Sequence, residues 1–193
     1  SLPPPSPPPP APPPPPPPSP PPPPPPSPPP FVVGTPAFTG IRQEITLAAL
    51  TSGLTCETKY SVPYSHATQT ANVKGVFGSG LIRSTPAYAI LGARYGASGN
   101  FKLAAIGDYN SVFASTTSAS TANYNRGTYW YMKSPTGSMG FAQVSAVRLN
   151  SADTMETYAA TRMSWHLDHS SAGGYRAGDT STGALYKIVM YCN

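Results

Sequence analysis

Charge is scarce in this sequence and absent from its start. All 12 Lys+Arg and all seven Asp+Glu fall after residue 30, and the basic residues never form a run. With neither a basic stripe nor an aromatic-rich recognition motif, the net charge of +5 gives no reason to expect a nucleic-acid partner. Apolar runs are short, and none approaches the ~20 residues of a membrane-spanning helix. No Asn-X-Ser/Thr sequon occurs, so N-linked glycans are not expected. No window sustains apolar residues at i, i+3, i+4 and i+7, which argues against a mainly helical domain. An initiator Met and a signal peptide are also lacking. The opening "SLPPPSPPP" is expected to be a terminus processed after secretion.

Proline is abundant, and it is concentrated. Of 28 prolines, 24 lie in residues 1–30, and only Pro36, Pro63, Pro86 and Pro135 lie beyond. The chain therefore reads as a low-complexity arm, 1–30, and one domain, 31–193, of ordinary size for burying a core. Proline fixes φ near −65° and has no N–H to donate, so runs of it adopt the polyproline II helix. At about 3.1 Å per residue such an arm spans roughly 90 Å. It loses little entropy on ordering, and its carbonyls stay open to water, donor side chains or attached groups. Ala11, Ser19 and Ser27 interrupt the runs every eight residues. With three residues per turn they go round all three edges rather than marking one. A small peptide-binding domain needs only a short PxxP, whereas this arm has the length of a stalk or assembly element.

The domain reads as all-β. Strand-like pieces recur as "ITLAAL", "CETKYSV", "NVKGVF", "AYAILGARY", "FKLAAIGDY", "TYWYMK", "FAQVSAVRL", "TRMSWHLD" and "LYKIVMYC", separated by turn signals such as "GASGN", "SPTGS" and "SSAGG". Their spacing predicts an antiparallel sandwich, jelly-roll-like; an early helix around "RQEITLAAL" competes with the first strand. Alternation from Met155 to His169 predicts a core face (Met163, Trp165, Leu167 among it) and a solvent face carrying Arg162, Ser164, His166 and Asp168. Cys56 and Cys192 both fall on the apolar side of a predicted strand. A disulfide between them would close a loop of more than 100 residues and contribute roughly 4–5 kcal/mol; two buried thiols are the alternative.

No enzyme, cofactor or metal site is expected. Ser164, His166 and Asp168 are spaced i, i+2, i+4, which on a strand holds neighbours about 6–7 Å apart, too far for a nucleophile and its base. His166 and His169, three apart, diverge to opposite faces and lack the pattern of the helical zinc motif. "GGYRAGDTSTG" is a glycine turn in which Arg176 either pairs with Asp179 or joins Tyr175 and an exposed Trp130 or Tyr131 to contact a sugar.

The arm "SPPPPAPPPPPPPSPPPPPPPSPPP" resembles the stalks of algal and plant hydroxyproline-rich glycoproteins, extensins and pherophorins among them; the resemblance covers residues 1–30. The closing "SWHLDHSSAGGYRAGDTSTGALYKIVMYC" is more faintly similar to the ends of algal surface and fibre proteins. The resemblance implies that prolines within runs become 4-hydroxyproline bearing short arabinose chains. Here those are Pro4, Pro5, Pro8, Pro9, Pro10, Pro13, Pro14, Pro15, Pro16, Pro17, Pro18, Pro21, Pro22, Pro23, Pro24, Pro25, Pro26, Pro29 and Pro30. It implies galactose on Ser6, Ser19 and Ser27. The expected function is that of a secreted, extracellular structural subunit of a fibre, cell wall or surface matrix. Its partners would be copies of itself and glycans, covalent or bound. A lectin-like binding module on a rigid stalk is the alternative.

Overall fold

The computed structural model describes residues 2–5, 11, 13, 33–78, 80–116, 122–133, 137–145, 160–168, 174–178 and 183–193. The chain divides into two units, Ser1–Phe31 and Val32–Asn193. In the first, Leu2, Pro3, Pro4, Pro5, Ala11 and Pro13 are exposed and belong to no helix or strand.

The second unit is built mostly of antiparallel strands, with three short helices among the described residues. In chain order these are β1 (Ile41–Ile45), α1 (Leu47–Leu50), β2 (Cys56–Pro63), α2 (Thr70–Val73), β3 (Tyr88–Tyr95), β4 (Phe101–Asp108), α3 (Tyr109–Val112), β5 (Asn123–Asn125), β6 (Thr128–Met132), β7 (Gly137–Ala142), β8 (Met163–Leu167), β9 (Gly174–Ala177) and β10 (Leu185–Cys192). One five-stranded sheet runs β1-β4-β3-β10-β2 and the other β5-β6-β7-β8-β9. The second is a plain meander, as expected when successive strands are joined closely enough to pair with one another. The chain passes from the first sheet to the second after β4 and back after β9, where β10 enters between β3 and β2.

The facing side chains of both sheets share one core. Leu91, Ala93, Leu103, Ala105, Val189 and Tyr191 come from the first sheet; Trp130, Met139, Phe141, Met163, Trp165 and Leu167 come from the second. Gly107 makes room for this packing, because a Cβ there would stand 2.8 Å from the Trp130 ring. A second core lies on the other face of the first sheet. Ile90, Ala104, Ile106, Ile188, Met190 and Cys192 pack there against Leu50, Phe38, Ile45, Leu47 and Leu54. The central strands of the first sheet, β3, β4 and β10, are thus covered on both faces, which explains their near-continuous apolar sequence.

Several local expectations are corrected. The strand expected over "ITLAAL" is instead the end of β1 followed by α1, because Thr46 caps the helix by accepting from the Ala49 N–H at 3.2 Å. "NVKGVF" is no strand. Asn72 accepts from the Gln69 N–H at 3.1 Å to start α2, and Gly75 with φ +72° takes the chain out of extended conformation. Of "FAQVSAVRL", Phe141 and Ala142 end β7, which begins at Gly137, and residues 146–149 lie outside the described residues. Gly174–Ala177, read as turn, forms β9 beside β8. Met163, Trp165 and Leu167 are buried as expected, yet Arg162 and Ser164 on the supposed solvent face are buried too. The expectations for residues 155–159 and His169 lie outside the described residues.

Cys56 and Cys192 form the disulfide, joining directly opposed residues of β2 and β10 with Cα atoms 4.1 Å apart. Strict alternation would put Cys56 and Tyr60 on one face. A register shift between Val189 and Met190, opposite Tyr60 and Thr58, breaks the alternation, so Cys56 packs in the outer core while Tyr60 turns to the inter-sheet core.

Candidate functional site

The β5–β6 hairpin presents the chain's most exposed aromatic surface among the described residues. Arg126 and Gly127 make its two-residue turn with φ of 50° and 75°, the left-handed pair that matches strand twist. Asn125 fixes the hairpin to the end of β4: its Oδ1 accepts from the Asp108 N–H and its Nδ2 donates to Asp108 Oδ2, both at 2.8 Å. Arg126 reaches Asp108 Oδ1 at 3.7 Å and lies over the Tyr88 ring at 5.1 Å. Trp130 Nε1 donates to the Asn125 carbonyl at 3.2 Å, and the Gly40 N–H donates to the Arg126 carbonyl at 2.6 Å.

Because Trp130 points into the core, the register sends its neighbours outward. Tyr124 and Tyr129 stand directly opposite, with ring centroids 4.8 Å apart and planes at 50°. Tyr124 is 65% exposed. Neither hydroxyl donates a hydrogen bond among the described residues. Beside them Asn123 Nδ2 is engaged with the Ala114 carbonyl at 3.2 Å.

A polar cluster lies inside the domain. Lys187, on β10, is fully buried between the sheets. Its Nζ donates to the His66 carbonyl and, at 2.8 Å, to Thr68 Oγ1, and it stands 6.0 Å from the centre of the Tyr64 ring. Among the described residues no carboxylate bonds it, and burial lowers its pKa to about 8. Tyr60 shares Thr68 Oγ1 at 2.9 Å, and Tyr64 donates to the Ser164 carbonyl at 3.1 Å. Asp168, with φ +53°, accepts from the Thr70 N–H at 2.7 Å and from its hydroxyl at 2.5 Å. The segment from Tyr64 to Thr70 is therefore fastened to β10 by Lys187 and to β8 by Ser164 and Asp168.

The residues singled out from sequence are dispersed. Trp130 and Tyr131, expected as exposed sugar contacts, are buried: Trp130 is in the inter-sheet core, and Tyr131 packs on Ala142 and donates to the Val144 carbonyl at 3.0 Å. Burial also raises the Tyr131 pKa. The side chains of Tyr175 and Arg176, together with Asp179, lie outside the described residues, as do Ser6, Ser19, Ser27 and every proline of the proposed modification set except Pro4, Pro5 and Pro13. Ser164 Oγ is buried without a hydrogen-bond partner, so no hydrogen bond joins it to His166, and Asp168 turns to Thr70. Among the described residues no group of three or more His, Cys, Asp or Glu is placed to hold a metal ion, and no helix is long and apolar enough to cross a membrane. Tyr124 and Lys187 were not singled out. "NYNRGTYWY" carries both strands and the turn signal of the hairpin, whereas nothing in "LYKIVMYC" marks Lys187 as facing inward. No protein-family model, curated protein or solved structure matches the chain.

Proposed function

We propose that this chain is a secreted structural subunit of an extracellular glycoprotein fibre or matrix, a polyproline II rod carrying a sandwich-like β bead. The observation that carries this reading is the arm, in which 24 of 30 residues are proline and none is charged. A segment of that composition can neither fold into the domain nor pair as a strand, and it acts at a distance set by its own length. Hydroxylation and O-glycosylation of the arm supply donors to its free carbonyls and coat it against uncontrolled bundling. The disulfide accords with an oxidising, extracellular setting. Head-to-tail contact between bead and rod leaves an open end at every step, which is the geometry that propagates into filaments.

Electron microscopy of the full chain and of a chain lacking residues 1–30 tests the proposal. Filaments are expected from the first alone; dispersed particles from both would refute it. The lectin-like alternative loses two of its four expected contacts to burial, Trp130 and Tyr131. Selective binding of the domain on a glycan array would restore it.

A further inference from the structure

We infer that the paired rings of Tyr124 and Tyr129 are a docking platform for the proline arm of a second copy of this chain. The inference rests on the fibre reading and names where one subunit would grip the next. An aromatic side chain that is 65% exposed, its ring 4.8 Å from that of a second tyrosine and tilted 50° to it, leaves apolar ring surface uncovered among the described residues. Polyproline segments are recognised on such surfaces, because flat pyrrolidine rings pack on aromatic faces and the backbone carbonyls lack donors of their own. Both hydroxyls are unengaged among the described residues and supply those donors.

The chemistry beside the rings distinguishes this occupant from a sugar. Sugar hydroxyls are held by planar amides and carboxylates, and those of Asn123, Asn125 and Asp108 are already engaged with one another or with backbone. What remains is two ring faces and two donors, with no charge among Asn123, Tyr124 and Tyr129 to match an arm that has none. Contact takes one edge of a three-edged helix and leaves the others to attached sugars.

The fibre reading assigns the arm to contact between copies, so the proline runs that meet these rings are those of a second copy; they carry no charge, and proline has no N–H of its own.

The test is titration of an unmodified synthetic peptide of residues 12–30 into dilute full chain, read from the ring-proton NMR signals of Tyr124 and Tyr129. Both rings should shift saturably. Tyr124→Ser should weaken binding at least tenfold, and Tyr124→Phe, which keeps the ring but loses the donor, should fall between. No saturable shift in the unsubstituted chain, or equal binding by Tyr124→Ser, overturns the inference. So do ring shifts produced by arabinose or galactose oligosaccharides and not by the peptide. Electron microscopy of the same proteins separates the two proposals: filaments unchanged by Tyr124→Ser remove the platform and keep the fibre, and peptide binding without filaments does the reverse.

Discussion

At the scale of single residues, Lys187 is the group whose environment departs furthest from its chemistry. Its ammonium is held by a carbonyl, a hydroxyl and the face of Tyr64. Burial depresses its pKa from 10.5 to about 8, so between those values the unfolded chain binds more protons than the folded one. Stability then rises with pH across that window and is flat below it. Relative to Lys187→Met, the unsubstituted protein should gain roughly 2 kcal/mol from pH 8 to pH 10 in chemical denaturation. Parallel curves for the two proteins would show that the amine stays solvated. The comparison cancels the tyrosines, including Tyr64 and Tyr131, whose raised pKa values act above pH 10 in the opposite direction. Gly107 gives a steric counterpart. Gly107→Ala drives a methyl into the Trp130 ring and Val112, and should lower stability by about 1–3 kcal/mol, with a shift in tryptophan fluorescence. An unchanged Tm would mean that the sheets part without cost.

At the scale of elements, the disulfide joins the last strand to an edge strand across 136 residues of sequence. In the chain-entropy model a loop of that length contributes about 5 kcal/mol. Cys56→Ser with Cys192→Ser should accordingly lower the Tm by on the order of 10 °C in calorimetry. A shift of a degree or less would show that seven opposed residue pairs between β2 and β10 suffice. Strands β3, β4 and β10 were legible in the sequence because cover on both faces leaves them apolar and nearly uninterrupted. Strand β5, Asn123–Asn125, was not, since three residues give no period to read. Alternation along β6 sets Trp130 against Tyr129 and Tyr131, yet it cannot tell that Tyr131 is covered while Tyr124 stays open. That distinction belongs to neighbours remote in sequence, Ala142 and Val144. The face of Tyr60 escaped for another reason: a one-residue register shift at Lys59 inverts everything after it, and no composition signals a bulge.

For the whole molecule, the division of labour follows from composition. The domain carries every charge, both cysteines and all the described strands; the arm carries 24 of the 28 prolines. On the proposed reading, the value of joining the two lies in contact between copies. The most direct measurement is intact mass with peptide mapping of native material, on a sample also viewed by electron microscopy. The account predicts increments of one oxygen and of pentose on residues 3–30, in chains drawn from filaments. Unmodified prolines on dispersed single chains would contradict it and leave a bare spacer holding a binding domain.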